Sequence, residues 1–357
     1  MSDLRVIVVG TGGMAGQHGA AYAAMDGVEI VGAVDTRPEN LAAFMAEFGD
    51  MRGFASVEEA LDWGQFDAAS NVTPDTAHHP TTLPLLAAGK HVLCEKPLAP
   101  AHRLAEEMAQ AARDAGVVNM VNLSYREVPA LIEAARIVAA GEIGEVRHFE
   151  ASYLQSWLTQ PKWGDWRTED TWLWRLSKAH GSLGVLGDVG VHILDFATHC
   201  AGSDAASVSC RLTTFDKAPG GRIGDYLLNA NDSFAMTVAL EDGATGVIHA
   251  SRFASGHLDD LRLRIFGTTG GIEVKYELGP SGKRESGLRT CLGSDAMIEG
   301  RWTEIEPPGV ATNYVRFIEA VRAGRQVQPD FGRGAALQAV LDRAAQSDAD
   351  GSRSLAV

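Results

Sequence analysis

Three short stretches bring together residue types that bind a dinucleotide or move a proton. The first is Gly10-Thr11-Gly12-Gly13-Met14-Ala15, which follows an apolar β-branched run and opens a helical pattern. A glycine at 10 permits a tight turn, a glycine at 12 lets the backbone approach a pyrophosphate, and the small Ala15 allows a helix to pack closely on a strand, leaving N–H groups for phosphate. Asp35 lies twenty residues past Ala15, at the end of the next apolar run and followed by Thr36 and Arg37. A carboxylate there hydrogen-bonds the adenosine ribose hydroxyls. At about 4 Å and an effective dielectric of about 20 it would also repel a 2′-phosphate by about 4 kcal/mol per charge pair, which favours NAD. Arg37, swung over the ribose, would leave NADP open.

The second stretch, 89–97, runs an apolar strand into Glu95-Lys96-Pro97. A lysine at the carboxyl end of a parallel strand is placed to donate to a substrate oxygen; on position alone, a solvated surface lysine reads equally well. The third is Gly187-Asp188-Val189-Gly190-Val191-His192. Its acid and imidazole stand four apart, so both project from one helical face and can meet one small ligand. The alternative is a helix cap and a core histidine. Gly184, Gly187 and Gly190 weigh against that alternative, because they cost helix stability and point to something approaching the backbone closely. No third ligand accompanies the pair, and Cys94, Cys200, Cys210 and Cys291 form no CxxC, so no metal is expected and the cysteines read as free buried thiols.

These residues need elements to hold them. From 5 to 122, strand-like runs at 6–9, 28–34, 66–72, 91–94 and 117–121 alternate with helical patterns at 14–25, 38–48, 56–63, 76–88 and 100–115. Ser56 with Glu59 forms a capping box. Regular alternation predicts a doubly wound parallel sheet, the Rossmann arrangement, over 1–122. Beyond it, a helix at 128–140 precedes strands at 146–153, 206–213, 234–240, 245–251, 261–265 and 272–276, mostly without intervening helices. That pattern predicts an α+β domain over 123–357 with a large, mostly antiparallel open sheet, one helix at 186–200 and two closing helices at 311–323 and 334–345.

A length of 357 residues suits two domains, and 45% hydrophobic with 22% charged residues is ordinary globular composition. The net charge of −15 repels a phosphate backbone, which excludes nucleic acid and anionic lipid as partners. No apolar run approaches the roughly 20 residues of a membrane span, so the chain reads as a soluble cytoplasmic protein. There are no fixed-period repeats.

Taken in order and spacing, the three motifs resemble the Gfo/Idh/MocA oxidoreductases, over nearly the whole chain. The resemblance implies a Rossmann domain, a second domain whose open sheet makes homo-oligomer contacts (dimer or tetramer), and an active site between them. It makes Lys96, before an often-cis Pro97, catalytic, and Asp188 and His192 the substrate-side pair. Asn71, Thr73, Pro74 and His78 match the segment passing the nicotinamide ribose, and Glu95 a residue near the same ring. Arg126 carries over as a substrate or cofactor contact, although Ser124-Tyr125-Arg126-Glu127 departs from the family's usual Asn-x-Arg-aromatic there.

The reaction so implied is hydride transfer between nicotinamide and a hydroxyl or carbonyl carbon of a sugar, sugar derivative or cyclitol. His192 is the first choice of general base, since imidazole titrates near neutral pH; Lys96 would hydrogen-bond the same oxygen, and the two roles are exchangeable. Asp188 would orient the lysine or a second hydroxyl. Rival readings are a redox-neutral NAD-dependent glycosidase of the same family and a non-catalytic dinucleotide sensor. Five of the seven tryptophans, Trp157, Trp163, Trp166, Trp172 and Trp174, crowd one segment. They either pack structurally or line a sugar pocket, with Trp157 or Trp163 nearest the substrate. His180 and His199 read as structural.

Overall fold

The computed structural model describes residues 3–279 and 281–357. Compactness divides the chain into two units, Met1–Ser124 with Ala311–Gln338, and Tyr125–Val310 with Ala339–Val357.

In the first unit the apolar runs form β1 (Leu4–Val9), β2 (Val28–Val34), β3 (Arg52–Phe54), β4 (Ala68–Asn71), β5 (His91–Cys94) and β6 (Asn119–Val121). They make one parallel sheet in the order β3-β2-β1-β4-β5-β6. β1 is central, which explains its unbroken Val6-Ile7-Val8-Val9: both faces are covered and all four side chains are buried. Between the strands lie α1 (Ala15–Ala23), α2 (Pro38–Phe48), α3 (Val57–Trp63), α4 (Asp75–Ala87) and α5 (His102–Ala115). α5 buries Ala105, Met108, Ala109 and Ala112, a single stripe at helical spacing. The capping box forms at α3, with Ser56 Oγ accepting from Glu59 N–H at 3.3 Å. The reciprocal bond reaches one residue further back, from Ala55 N–H to Glu59 at 2.9 Å.

The second unit holds α6 (Pro129–Ala139), β7 (Val146–Gln155), α7 (Asp170–Leu173), α8 (Val191–Ala201), β8 (Ala205–Thr213), the small hairpin β9 (Arg222–Ile223) and β10 (Tyr226–Leu227), β11 (Ser233–Leu240), β12 (Thr245–Ser251), β13 (Asp259–Gly267), β14 (Gly270–Leu278), β15 (Arg284–Leu292), α9 (Ser294–Glu299) and β16 (Thr303–Ile305). After α10 (Asn313–Ala323) and α11 (Phe331–Ala349), β17 (Leu355–Ala356) ends the chain. Nine strands form one sheet, β16-β15-β14-β13-β7-β12-β11-β8-β17, antiparallel throughout except between β7 and β12. β11 and β12 alternate buried and accessible residues, as a sheet with one covered face requires.

The units do not follow a cut at 122/123. α10 packs Phe317, Ile318 and Ala320 against Val6, Tyr22, Leu93 and Met120 of the first unit. The segment after it closes the outer edge of β6: Asn119 N–H donates to Gln326 at 3.0 Å, and Val121 N–H to the Pro329 carbonyl at 2.9 Å. The reason is edge protection, since an unpaired β6 would expose its N–H and carbonyl groups. Among the described residues no helix is long and apolar enough to cross a membrane.

Candidate active site

In the first unit the motif residues gather where β1, β2, β4 and β5 end. Gly10 takes φ +84°, and a Cβ there would stand 2.8 Å from the Thr73 backbone nitrogen, so the turn after β1 presses directly on the turn after β4. At Gly12 and Gly13 an added Cβ would meet nothing within 4 Å. Backbone and open space therefore lie together at the start of α1, beside exposed Met14 and buried Ala15, which fits a pyrophosphate. Asp35 accepts from Thr11 N–H at 2.8 Å, Thr11 Oγ1 at 2.9 Å and Arg37 N–H at 2.9 Å. Burial alone would raise its pKa, but these bonds and the Arg37 charge hold it below the ordinary carboxylate value. A fixed anion thus stands just past the end of β2, next to exposed Thr36, while the Arg37 guanidinium lies 3.8 Å from it and faces the Asn40 side-chain oxygen.

Asn71 and His78 spend their polar atoms on the protein. Asn71 donates to Thr81 and Thr82, both at 2.8 Å, and accepts from Thr73 Oγ1 at 2.7 Å. His78, fully buried, spans from the Thr73 carbonyl at 2.8 Å to the Pro97 carbonyl at 2.9 Å. Together they set the 73–74 turn and the turn that follows Lys96. The Lys96–Pro97 peptide is cis. Glu95, beneath Lys96, accepts from His18 at 3.0 Å, from Asn122 at 2.6 Å and from Lys96 N–H at 3.1 Å. Burial pushes this carboxyl up, but His18, the Lys96 charge and Asn122 outweigh it and pull it down to about 2. His18 is held in turn by Ser70 at 2.7 Å and by the edge of Tyr314, and Asn122 by Asn313 at 3.1 Å. Sequence reasoning missed His18, Asn122 and the α10 pair; His18 three residues past Ala15, on the sheet-facing side of α1, was the available signal.

In the second unit the predicted 186–200 helix is a π-helical turn, Leu186–Gly190, running into α8. Such turns recur at functional sites. Asp188 sits in the wide turn and His192 in the first turn of α8. What approaches the glycines is the protein itself: a Cβ on Gly187 would meet Leu183 Cβ at 2.2 Å, and one on Gly184 would meet Asn231 at 2.3 Å. Asn231 receives Leu186 N–H at 3.0 Å and so fixes the turn's entry. Asp188 Oδ2 accepts from Arg252 Nη2 at 2.9 Å.

Arg126 differs from the expectation of a ligand contact. Its guanidinium forms a buried fork with Asp195, 2.6 and 2.7 Å, so those donors hold α8 in place. The neighbour that did not carry over, Tyr125, packs its ring edge-on against His192 with centroids 4.7 Å apart, and its hydroxyl pairs with Tyr153. The 124–127 turn therefore packs Tyr125 on the His192 ring and ties Arg126 to the same helix through Asp195.

The tryptophans build a local core. Trp157 and Trp166 are buried with Leu158, Leu173, Leu176 and Leu228, while Trp163 and Trp172 lie half-buried against them. Trp157 stacks obliquely on Trp172 at 5.4 Å, and the Arg252 guanidinium lies 5.0 Å from its ring. Trp157 thus touches the group that holds Asp188; Trp174 remains partly exposed under Arg175. His180 rests on Tyr226, and His199 stands in the last turn of α8. All four cysteines are free and buried.

Comparison with known proteins agrees with this geometry. Residues 4–123 match the oxidoreductase family's NAD-binding Rossmann fold, and residues 131–273 match the GFO/IDH/MocA C-terminal domain. The chain belongs to this family and is an NAD-binding oxidoreductase. It is 27% identical to levoglucosan dehydrogenase of Pseudarthrobacter phenanthrenivorans over 98% of this chain and 97% of that one. D-glucoside 3-dehydrogenase of Escherichia coli is 28% identical over 68% of each chain. The structure of a levoglucosan dehydrogenase complex with NADH and levoglucosan superposes with a TM-score of 0.80 at 25% identity, covering all of both chains.

Proposed function

We propose that this enzyme is an NAD-preferring dehydrogenase of a sugar, sugar derivative or cyclitol. The observation that carries the reading is Asp188: a partly accessible carboxylate held by a buried guanidinium that itself lies against the Trp157 indole, one turn before His192. That is a polar anchor on an apolar wall, the combination a hydroxylated ring with C–H faces selects. The carbohydrate substrates named for the relatives support it.

NAD+, when bound, supplies the hydride acceptor. Thr11 and Asp35 hold the adenosine ribose, and the 12–15 backbone holds the phosphates. Lys96 donates a hydrogen bond to the oxygen on the carbon being oxidised and steadies its developing negative charge. His192, steadied by Tyr125, takes the hydroxyl proton as the C–H hydrogen leaves with its electron pair, and the reverse reaction returns both. Asp188 accepts from a second hydroxyl and so selects the orientation of the ring, while Trp157 closes its side. We assign Asn71 and His78 to shaping the nicotinamide-side turn.

The protein works as a cytoplasmic homo-oligomer through the nine-stranded sheet in this reading. Its accessible face carries paired charges, Arg264 with Glu273 at 3.2 Å and Arg262 with Asp260 at 3.0 Å, and four unbridged cysteines suit a reducing compartment. The test is incubation with NAD+ or NADP+ and a panel of sugars, glycosides and cyclitols at 340 nm. Net NADH formation is expected, with a higher kcat/KM for NAD+ than for NADP+. Glycoside cleavage without net NADH would overturn the dehydrogenase reading, and preference for NADP+ would overturn the role of Asp35.

A further inference from the structure

We infer that Arg252 is a positioning residue for the reaction proposed above, fixing the direction and charge of the Asp188 carboxylate. The inference rests on that reading of Asp188 and adds a residue no motif contains.

Arg252 directly follows β12, and its side chain is fully shielded whereas that of Asp188 is one-third exposed. The cation therefore stands behind the carboxylate and the carboxylate in front. Its guanidinium is clamped on several sides: Nη2 donates to Asp188 Oδ2 at 2.9 Å, Nη1 to the Arg175 carbonyl at 3.2 Å, and the Trp157 ring lies 5.0 Å from Cζ. Its backbone N–H bonds the Asp232 carbonyl at 3.0 Å, and Asp232 pairs with buried Lys217 at 2.6 Å. The charges facing the guanidinium are thus Asp188, Asp232 and Arg175, with Lys217 behind Asp232.

A shielded cation is a costly way to fill this position. Gly246, Ile248 and Ala250 share its inward parity along β12, and an apolar side chain would continue their pattern. What the charge supplies is geometry. Asp188 stands in a π-helical turn, and the bond to Oδ2 ties one oxygen of its carboxylate to a shielded, fixed donor. An arginine behind a carboxylate also favours its ionised form. Asp188 then accepts a substrate hydroxyl's hydrogen bond without taking its proton, which leaves the proton to the general base.

The experiment compares the full-length protein with Arg252→Gln, Arg252→Lys, Asp188→Asn and the Arg252→Gln/Asp188→Asn pair, loaded with NAD+. Arg252→Gln should lower kcat/KM for the sugar roughly 10- to 100-fold, mostly through KM, with NADH affinity unchanged within about twofold. Arg252→Lys should recover part of that loss, and it carries the comparison should Arg252→Gln fail to fold. In the Asp188→Asn background, removing Arg252 should cost no more than about a further twofold, because its route of action is gone. Losses that multiply, or a parent-like KM in Arg252→Gln, overturn the inference. A second readout needs no turnover: the Asp188 carboxyl carbon, followed by NMR, should titrate about one pH unit or more higher without Arg252. An unchanged midpoint overturns the inference, whereas a parent protein that oxidises nothing on the panel overturns the dehydrogenase reading alone.

Discussion

Glu95 in the first unit and Asp195 in the second are both buried carboxylates beside a residue with a proposed chemical role, Glu95 next to Lys96 in the chain and Asp195 on the same helix as His192. Their partners differ in kind. Glu95 gathers an imidazole, an amide and a backbone N–H from three parts of the chain, whereas Asp195 takes the fork of Arg126 on both of its oxygens. The difference teaches how much each arrangement tolerates. A carboxylate with several donors keeps most of its stabilisation when one neutral donor is lost, while removing a guanidinium from a buried carboxylate takes away its counter-charge together with two hydrogen bonds.

The largest expected effect concerns what the two regions are for. Lys96→Ala and His192→Ala should each lower kcat by about 10²- to 10⁴-fold, with NADH affinity, measured by fluorescence, close to that of the parent. A variant that kept turnover within about threefold would remove that residue from the chemistry. Next comes the contrast itself. Arg126→Ala should cost about 3–5 kcal/mol in urea unfolding, against about 1–3 kcal/mol for Asn122→Ala, which removes one donor of three. Equal costs would break the comparison.

A further expected effect is a pH dependence that arises in the first unit. Glu95 is held at about 2 in the folded protein against an ordinary 4.5. A depressed carboxyl stabilises the fold above its unfolded value and loses that contribution as pH falls through the folded one. About 3 kcal/mol should therefore disappear between about pH 5 and pH 2. The Glu95→Gln variant, compared with the parent by urea unfolding across this range, should lack that slope. Parallel curves would mean that the His18 and Asn122 bonds do not favour the ionised form.

Local patterns were readable in the sequence and distant pairings were not. β2, β5 and α2 fall where periodicity and turn residues put them, because their burial is written in consecutive residues. β3 escaped notice as three residues around Gly53, and β15 as a run opening Arg284-Glu285-Ser286-Gly287 with little apolar content; pairing with β2 and with β14 makes them strands. The same holds at the site. Lys96, Asp188 and His192 lie in short motifs, but Arg252 is sixty-four residues from Asp188. One clue was present: extending the inward parity of 246, 248 and 250 by a step puts a charge on the buried face. The Arg126–Asp195 pair was not legible because a fork-shaped donor looks equally suited to a ligand or to a carboxylate, and Asp195 lies on an element whose orientation the sequence does not give.

The closure of the β6 edge by residues 326–331 has a consequence for how the protein is made. The first sheet is synthesised by about residue 121, yet the chain that covers its edge lies roughly 200 residues further on. At about 5–20 residues per second the nascent sheet waits roughly 10 to 40 s for that cover. Throughout that interval it presents an unpaired β6 and lacks Asn313 and Tyr314 beside Asn122 and His18. Truncations or ribosome stalls in this window therefore yield a nucleotide-binding half with a raw strand edge, the form in which chains of this kind pair with one another or with chaperones.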